Sequence, residues 1–372
     1  MKKKLLFIVN VDWFFISHRL PIAIEAIKKG FEVHIATTIS SQNYKMKNCG
    51  LIVHPIKLAR GNINIFSSII SFFQILNIVK KIEPSLLHLI TIKPILYGGI
   101  IAKILKVPKT IISISGLGFI FLEKSFFGKI RKFFVKILYR IVFKNKNIIT
   151  IFQNREDKND ICNIASLRLK NTFLIAGSGV CLKDFSYKKY QDNNTPKVLM
   201  ASRLLVDKGV NEYVEAAKIL KKNLNIEFIL AGDIDPDNPS SISDSTLSYW
   251  TKNKFINYIG FQKNIKKILQ TSCVAVLPSY REGLPKFLIE ASAIGRAIVT
   301  TNVPGCKDAI INGKTGLLVP AKDPNSLANA IKYLINNKDL MIKMGIQGRK
   351  YAERNFDIKK VVDRHIKIYN MK

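Results

Sequence analysis

The sequence predicts an α/β chain made of two Rossmann-like domains, each with a parallel sheet. Three observations carry this. Short apolar runs alternate with longer amphipathic segments along the whole chain, the pattern of strands joined by helical crossovers. A polar stretch, Lys188–Pro196, interrupts the alternation and reads as a linker. The 372 residues suit two to three domains of about 150 residues, each able to bury a full core. Apolar residues at 48% and charged residues at 23% exclude a disordered, collagenous or disulfide-stapled chain.

In order, residues 4–9 read as a buried strand, Leu20–Lys29 as a helix ended by Gly30, and Glu32–Thr37 as a second strand. Further strands are expected near Leu51–Pro55, Ser85–Ile90, Thr110–Ser115, Ile148–Phe152 and Thr172–Ile175. After the linker come Val198–Ser202, Glu227–Ala231, Ile256–Ile259, Val274–Leu277, Ala297–Thr301 and Gly316–Val319, with helices between them. The chain closes with helices at Ser326–Asn336, Leu340–Arg354 and Ile358–Tyr369. The expected domains are 1–188 and 189–357, with 358–372 returning to the first.

The charge is unusual. Fifty-nine Lys+Arg against 26 Asp+Glu leave +33, which calls for an anionic partner or surface. Residues 1–190 hold 31 basic and 9 acidic side chains, so the first half is the better polyanion-docking candidate. Five scattered cysteines with no Cys-x-x-Cys pair indicate neither a zinc site nor a disulfide framework, and fit a reducing compartment. The apolar run after Lys2–Lys4 stops at Asn10 and Asp12, too soon for a signal peptide, and no run is long enough for a transmembrane helix.

Lys124 to Lys146 contains eight basic residues and no acidic one. Phe133, Phe134 and their apolar neighbours at 130, 137, 138 and 141 recur with helical spacing. Lys132, Lys136 and Arg140 lie on another face, with Lys129 and Arg131 alongside. A basic amphipathic helix with bulky apolar residues suits an anionic membrane interface. The plainer alternative is a domain helix whose apolar face lies in the core. Nucleic acid is disfavoured, because no nucleic-acid motif accompanies the charge.

The sharpest motif is Pro278-Ser279-Tyr280-Arg281-Glu282-Gly283-Leu284-Pro285, running on to Glu290. A strand ends, a turn follows, and a helix begins near Pro285, whose missing N–H costs nothing there. The helix start is a ready anion site, and Gly283 allows close backbone approach. Eight residues of mostly helical chain span roughly 10–12 Å, too far for a glycosidase carboxylate pair. Glu282 and Glu290 instead suit separate hydroxyls of one long ligand. A second strand-to-helix loop carries Arg203 and Lys208, a fork and a point charge that could converge on a diphosphate.

Together these residues resemble the retaining glycosyltransferases of family 4. Glu282–x7–Glu290 matches that family's E-x7-E motif, and Arg203-x4-Lys208 its basic pair. Ala231-Gly232-Asp233, Val303-Pro304-Gly305-Cys306 and Asn312-Gly313-Lys314-Thr315-Gly316 extend the likeness. So do Ser17-His18-Arg19-Leu20-Pro21, Thr91-Ile92-Lys93-Pro94 and Ser115-Gly116-Leu117-Gly118-Phe119, which point to a subgroup extending lipid-linked oligosaccharides. The resemblance implies the GT-B architecture, with two Rossmann-like domains facing a central cleft. It also implies transfer of a hexose or N-acetylhexosamine from a nucleotide-diphosphate sugar, UDP-sugars first, to a polyprenyl-diphosphate-linked saccharide. Arg203 and Lys208 would bind the donor diphosphate and Glu290 the ribose. Glu282, with Gly283, Leu284 and Pro285, would hold donor sugar and phosphate. His18, Arg19, Lys93, Ser115 and Gly116 are candidates for the acceptor side. No cofactor or metal is implied, and the expected place is the cytoplasmic face of the membrane, peripherally bound.

Three departures stand out. The first loop lacks a Gly-Gly pair, Ser115 precedes Gly116 where many relatives have His, and Cys181 stands where Asp usually follows Gly177-Ser178-Gly179-Val180. His34, His54, His88 and His365 read as structural or solvated. Asp233-x-Asp235-x-Asp237 imitates a calcium loop, but Asn238 and Asp244 occupy the positions needing Gly and Glu, so a surface loop is expected. Two other readings share the charge and fold: a GT-B nucleotide-sugar epimerase, and a non-enzymatic polyanion- or membrane-binding protein.

Overall fold

The computed structural model describes residues 2–40, 43–58, 65–117, 125–165, 167, 171–191, 195–236 and 238–371. Gly118, Phe119, Lys124, Asp237 and residues 192–194 of the expected linker lie outside the described residues. The chain divides into two compact bodies, 1–178 with 359–372, and 179–358.

In the first body the strands are β1 (Lys4–Val11), β2 (Glu32–Thr38), β3 (Ile52–Pro55), β4 (Leu86–Ile90), β5 (Lys109–Ile114), β6 (Ile148–Phe152) and β7 (Thr172–Leu174). All pair in parallel, in the order β3-β2-β1-β4-β5-β6-β7. The helices between them are α1 (Asp12–His18), α2 (Leu20–Lys28), α3 (Asn43–Asn48), α4 (Ile65–Ile82), α5 (Ile92–Ile104), α6 (Phe126–Phe143) and α7 (Arg155–Ala165). Leu5 to Val9 are wholly buried, because helices cover both faces of a parallel sheet.

The second body holds β8 (Lys197–Ala201), β9 (Glu227–Ala231), β10 (Asn257–Tyr258), β11 (Val274–Leu277), β12 (Ala297–Thr301) and β13 (Gly316–Val319), parallel in the order β10-β9-β8-β11-β12-β13. Its helices are α8 (Val210–Lys221), α9 (Asp244–Lys252), α10 (Ile265–Thr271), α11 (Lys286–Ile294), α12 (Pro324–Asn336) and α13 (Lys338–Asn355). The last helix, α14 (Ile358–Asn370), returns the chain to the first body. There Tyr369 Oη hydrogen-bonds His88 Nδ1 at 2.7 Å, and Lys109 Nζ donates to the Ile368 carbonyl at 2.8 Å.

Two expectations change. The division falls at 178/179, ahead of the polar stretch. Val180 exchanges backbone hydrogen bonds with Phe356 and Ile358, and Lys188 N donates to the Ile294 carbonyl at 3.0 Å, which ties 179–188 to the second body. The basic helix α6 also buries a different stripe. Gly128, Val135, Tyr139 and Val142 face the core, while Phe126, Ile130, Phe133, Phe134 and Ile141 are exposed. Packing on α5 decides this: a Cβ on Gly99 would lie 2.5 Å from Val142 Cγ1, so the two helices meet closely along that line. Lys129 is exposed, whereas Arg131, Lys132 and Lys136 are half-buried. Arg140 Nε donates to the Ile164 carbonyl at 2.9 Å, so this cation is turned toward α7.

Candidate active site

In each sheet the strand order reverses once, between β1 and β4 and between β8 and β11. Adjacent crossovers leave such a point on opposite sides and open a crevice at the carboxyl strand ends. The motif residues of the second body follow β8 and β11, at that crevice.

Beyond β8, Arg203 precedes a single 3-10 turn, Val206–Lys208. Beyond β11, the backbone N–H of Glu282 donates to the Pro304 carbonyl at 3.0 Å. The loop after β12 presses so close that a Cβ on Gly305 (φ +80°) would lie 2.4 Å from the Glu282 carbonyl. This seating brings the Glu282 carboxylate onto Lys208 Nζ in an ion pair. Ser279 Oγ donates to the same carboxylate oxygen at 2.9 Å. The two sequence motifs therefore meet side chain to side chain. Gly232 is required for an equally tight approach: its Cβ would lie 1.8 Å from the Ser202 carbonyl, next to Arg203.

Helix α11 begins after Pro285, which caps it in extended conformation without a side-chain hydrogen bond. The structure puts Pro285 one position before the first helical residue, and Gly283 and Leu284 in the turn leading to it. Glu290 lies in the fifth position, 8% exposed, with Lys286 Nζ 3.5 Å away. Burial pushes its carboxyl pKa up and Lys286 pulls it back down. Lys208 and Arg203 thus lie in the loop after β8 and the positive end of the α11 dipole in the loop after the neighbouring strand β11.

Sequence reasoning missed one member. Asp235, expected in a surface loop, is buried, and its Oδ2 accepts from Arg203 Nη1 at 2.6 Å. The only signal in the sequence was its place four residues past β9, where crossover loops converge with those of β8. Among the described residues no group of three or more His, Cys, Asp or Glu side chains gathers as a metal site.

In the first body Arg19 joins α1 to α2 and is 2% exposed. Its Nη2 donates to Ser115 Oγ at 3.0 Å and its Nη1 to the His18 carbonyl at 3.1 Å. Burial lowers its pKa to about 10. Its Nε has no hydrogen-bond partner among the described residues. His18 ends α1 rather than sitting in a loop, stacked on Phe14 with ring centroids 4.2 Å apart. Lys93 stands in the first turn of α5, half-buried, with its ammonium pKa lowered by desolvation. Gly116 follows Ser115 at φ +102°. The structure thus joins Arg19 to Ser115 through a long-range contact, while the His18 ring is stacked on Phe14.

Comparisons with known proteins bear on the family and the fold. A family model described as glycosyl transferase 4-like matches residues 4–154, and one described as glycosyl transferases group 1 matches residues 183–351. The chain is 30% identical over 365 residues to N,N'-diacetylbacillosaminyl-diphospho-undecaprenol alpha-1,3-N-acetylgalactosaminyltransferase of Campylobacter jejuni, covering 95% of this chain and 94% of that protein. It is 26% identical to UDP-Gal:alpha-D-GlcNAc-diphosphoundecaprenol alpha-1,3-galactosyltransferase of Escherichia coli over 83% of this chain and 81% of that one. The fold matches the crystal structure of Anabaena HepE in complex with UDP and glucose at a TM-score of 0.77, with 14% identity and full coverage of both chains. The chain therefore belongs to the family-4 glycosyltransferases and is a transferase enzyme built on the GT-B pair of Rossmann-like domains.

Proposed function

We propose that this enzyme moves a hexose or N-acetylhexosamine, with retention of configuration, from a uridine diphosphate sugar to a polyprenyl-diphosphate-linked saccharide in cell-envelope polysaccharide assembly. The observation that carries the reading is the contact of the two motif loops, Lys208 on Glu282, with Arg203 on the same strand edge. The curated relatives named above, one at 30% identity, act on diphosphoundecaprenol-linked sugars, which supports the acceptor class.

In this reading Arg203 and Lys208 take the donor diphosphate, Glu290 the ribose hydroxyls, and Glu282 with the turn Gly283-Leu284-Pro285 the sugar and its phosphate. The bond from the anomeric carbon to the β-phosphate oxygen breaks and the bond to the acceptor oxygen forms on the same face. The acceptor proton passes to the departing β-phosphate. The protein then needs no nucleophile; it needs cations fixed where leaving-group charge develops. No metal enters this scheme, because Arg203 and Lys208 supply that charge. Arg19, Lys93 and Ser115, with His18 and Gly116, would face the acceptor diphosphate.

The first body would meet an anionic membrane on its cytoplasmic side. Phe126, Phe133 and Phe134 of α6 are 72%, 60% and 60% exposed beside Lys129, a mixture of bulky apolar and basic groups that suits a bilayer interface. Helix α4, uncharged from Ile65 to Val79, exposes Phe66, Ile69, Ile70 and Phe73 and flanks α5 as α6 does. No helix among the described residues is long and apolar enough to cross a membrane.

The test is a thermal-shift panel of UDP, GDP, ADP and NAD on wild type and Arg203→Ala. A ligand at about 100 times its dissociation constant stabilises by about 2.7 kcal/mol. We expect UDP to raise the melting temperature of wild type and not of Arg203→Ala. Equal shifts in both proteins would remove Arg203 from the donor site. With an undecaprenyl-diphosphate-linked saccharide as acceptor, release of free sugar without a coupled product would favour the epimerase reading instead.

A further inference from the structure

The loop after β9 closes onto the loop after β8 like a second strand. Leu204 N donates to the Asp233 carbonyl at 2.9 Å, Val206 N to the Ser240 carbonyl at 2.8 Å, and Ile242 N to the Leu204 carbonyl at 2.9 Å. Leu205 and Ser241 form an antiparallel bridge. Within the loop, Asn238 N reaches back to the Asp235 carbonyl at 2.8 Å, and Asp235 N donates to Ser241 Oγ at 3.0 Å. The backbone of Asp235 is thereby anchored on both sides within its loop, and the residues around it, Asp233 and Ser240 to Ile242, tie that loop to the segment that carries Arg203 and Lys208.

Its side chain is anchored too. The Asp235 side chain is 10% exposed, whereas that of Arg203 is 40% exposed, and the two meet at 2.6 Å. The buried acid is therefore the fixed end of the pair and the guanidinium the outward end. A guanidinium has five N–H donors in a rigid fork, and Asp235 engages it at Nη1. A free Arg side chain loses rotamer freedom when it grips a phosphate; one already held by a buried carboxylate loses less.

We propose that Asp235 is a positioning residue for the donor diphosphate, holding the Arg203 guanidinium in the orientation that grips it. This rests on the donor reading of Arg203 given above. Asp235 acts through Arg203 and touches no reacting atom. Its carboxylate also repels a diphosphate electrostatically, so orientation and repulsion predict opposite signs when it is removed.

The experiment measures UDP dissociation constants by calorimetry, and kcat and KM for transfer, for wild type, Asp235→Ala, Asp235→Asn, Arg203→Ala and the double variant Asp235→Ala/Arg203→Ala. A hydrogen bond to a charged group is worth about tenfold. Positioning predicts UDP binding weaker by about tenfold in Asp235→Ala, with most of it restored in Asp235→Asn, whose amide oxygen still accepts from Nη1. It also predicts no further loss when Asp235→Ala is added to Arg203→Ala. Tighter UDP binding in both Asp235 variants would overturn the proposal in favour of simple repulsion. Additive losses in the double variant, with a lowered melting temperature, would overturn it in favour of a purely structural loop contact. If Arg203→Ala binds UDP like wild type, the donor reading of Arg203 fails, and the Asp235 proposal with it. Failure of Asp235→Ala alone to weaken UDP overturns only the proposal.

Discussion

Acidification should loosen the first body through His365. This side chain lies on α14, 1% exposed, with Nδ1 2.8 Å from the Val361 carbonyl and its ring 6.1 Å from that of His88. Burial, and after it the Arg19 guanidinium, lowers its pKa to about 3, with the Val361 carbonyl opposing. His88 on β4 is held well below its ordinary value by burial, His365 and Arg19. Tyr369 of the same helix completes the surroundings. A depressed folded pKa means that the unfolded chain, with His near 6.5, binds the proton first as pH falls. The contribution is therefore fully present above pH 6.5 and is lost progressively as pH drops toward 3. Between pH 7 and pH 5 one such histidine removes about 2 kcal/mol. For a body of this size that lowers the melting temperature by about 4–8 °C. The assay is calorimetric melting of the full chain at the two pH values, for wild type and His365→Leu. The variant starts from its own baseline and should fall by about 4–8 °C less over the same interval. Parallel falls in the two proteins would refute the buried, neutral state of His365.

Other perturbations probe the active site and the proposed membrane face. In the proposed reading Lys208→Ala removes a cation from the developing phosphate charge and should cut kcat by about 10²–10³; a loss under tenfold in initial rates would exclude Lys208 from leaving-group stabilisation. Phe133→Ser with Phe134→Ser should weaken co-sedimentation with phosphatidylglycerol vesicles by at least about tenfold, taking each ring as half-buried in lipid. The same variant should bind UDP as wild type does, and undiminished sedimentation would take α6 out of the membrane contact.

Much of the architecture was legible in the sequence, for a local reason. Strands of a sheet covered on both faces are apolar along most of their length, so Leu5–Val9, Val274–Leu277 and Ala297–Val299 stand out as continuous runs. The motifs proposed to hold the donor were legible because each lies within one strand–turn–helix unit: Glu282, the turn to Pro285 and Glu290 sit in one stretch, as do Arg203 and Lys208. What the sequence could not carry was contact between units. Asp235 looked like any polar loop residue until the crossover after β9 laid it beside Arg203, 32 positions away. The domain division fell at 178/179 because Val180 pairs with Phe356 and Ile358, far along the chain. Helix α6 is apolar on more than one side, so periodicity offered two faces for the core; Gly99 of α5, by letting Val142 come close, chose one and left Phe133 and Phe134 outside. His365 shows no sign of its buried state in a helix with five basic residues, counting the histidine itself; only the return of α14 onto β4 desolvates it. Hydrophobic pattern and local turn chemistry determined the elements and the motif residues, whereas pairings across distant loops and the choice of buried face belong to packing, which depends on the whole chain at once.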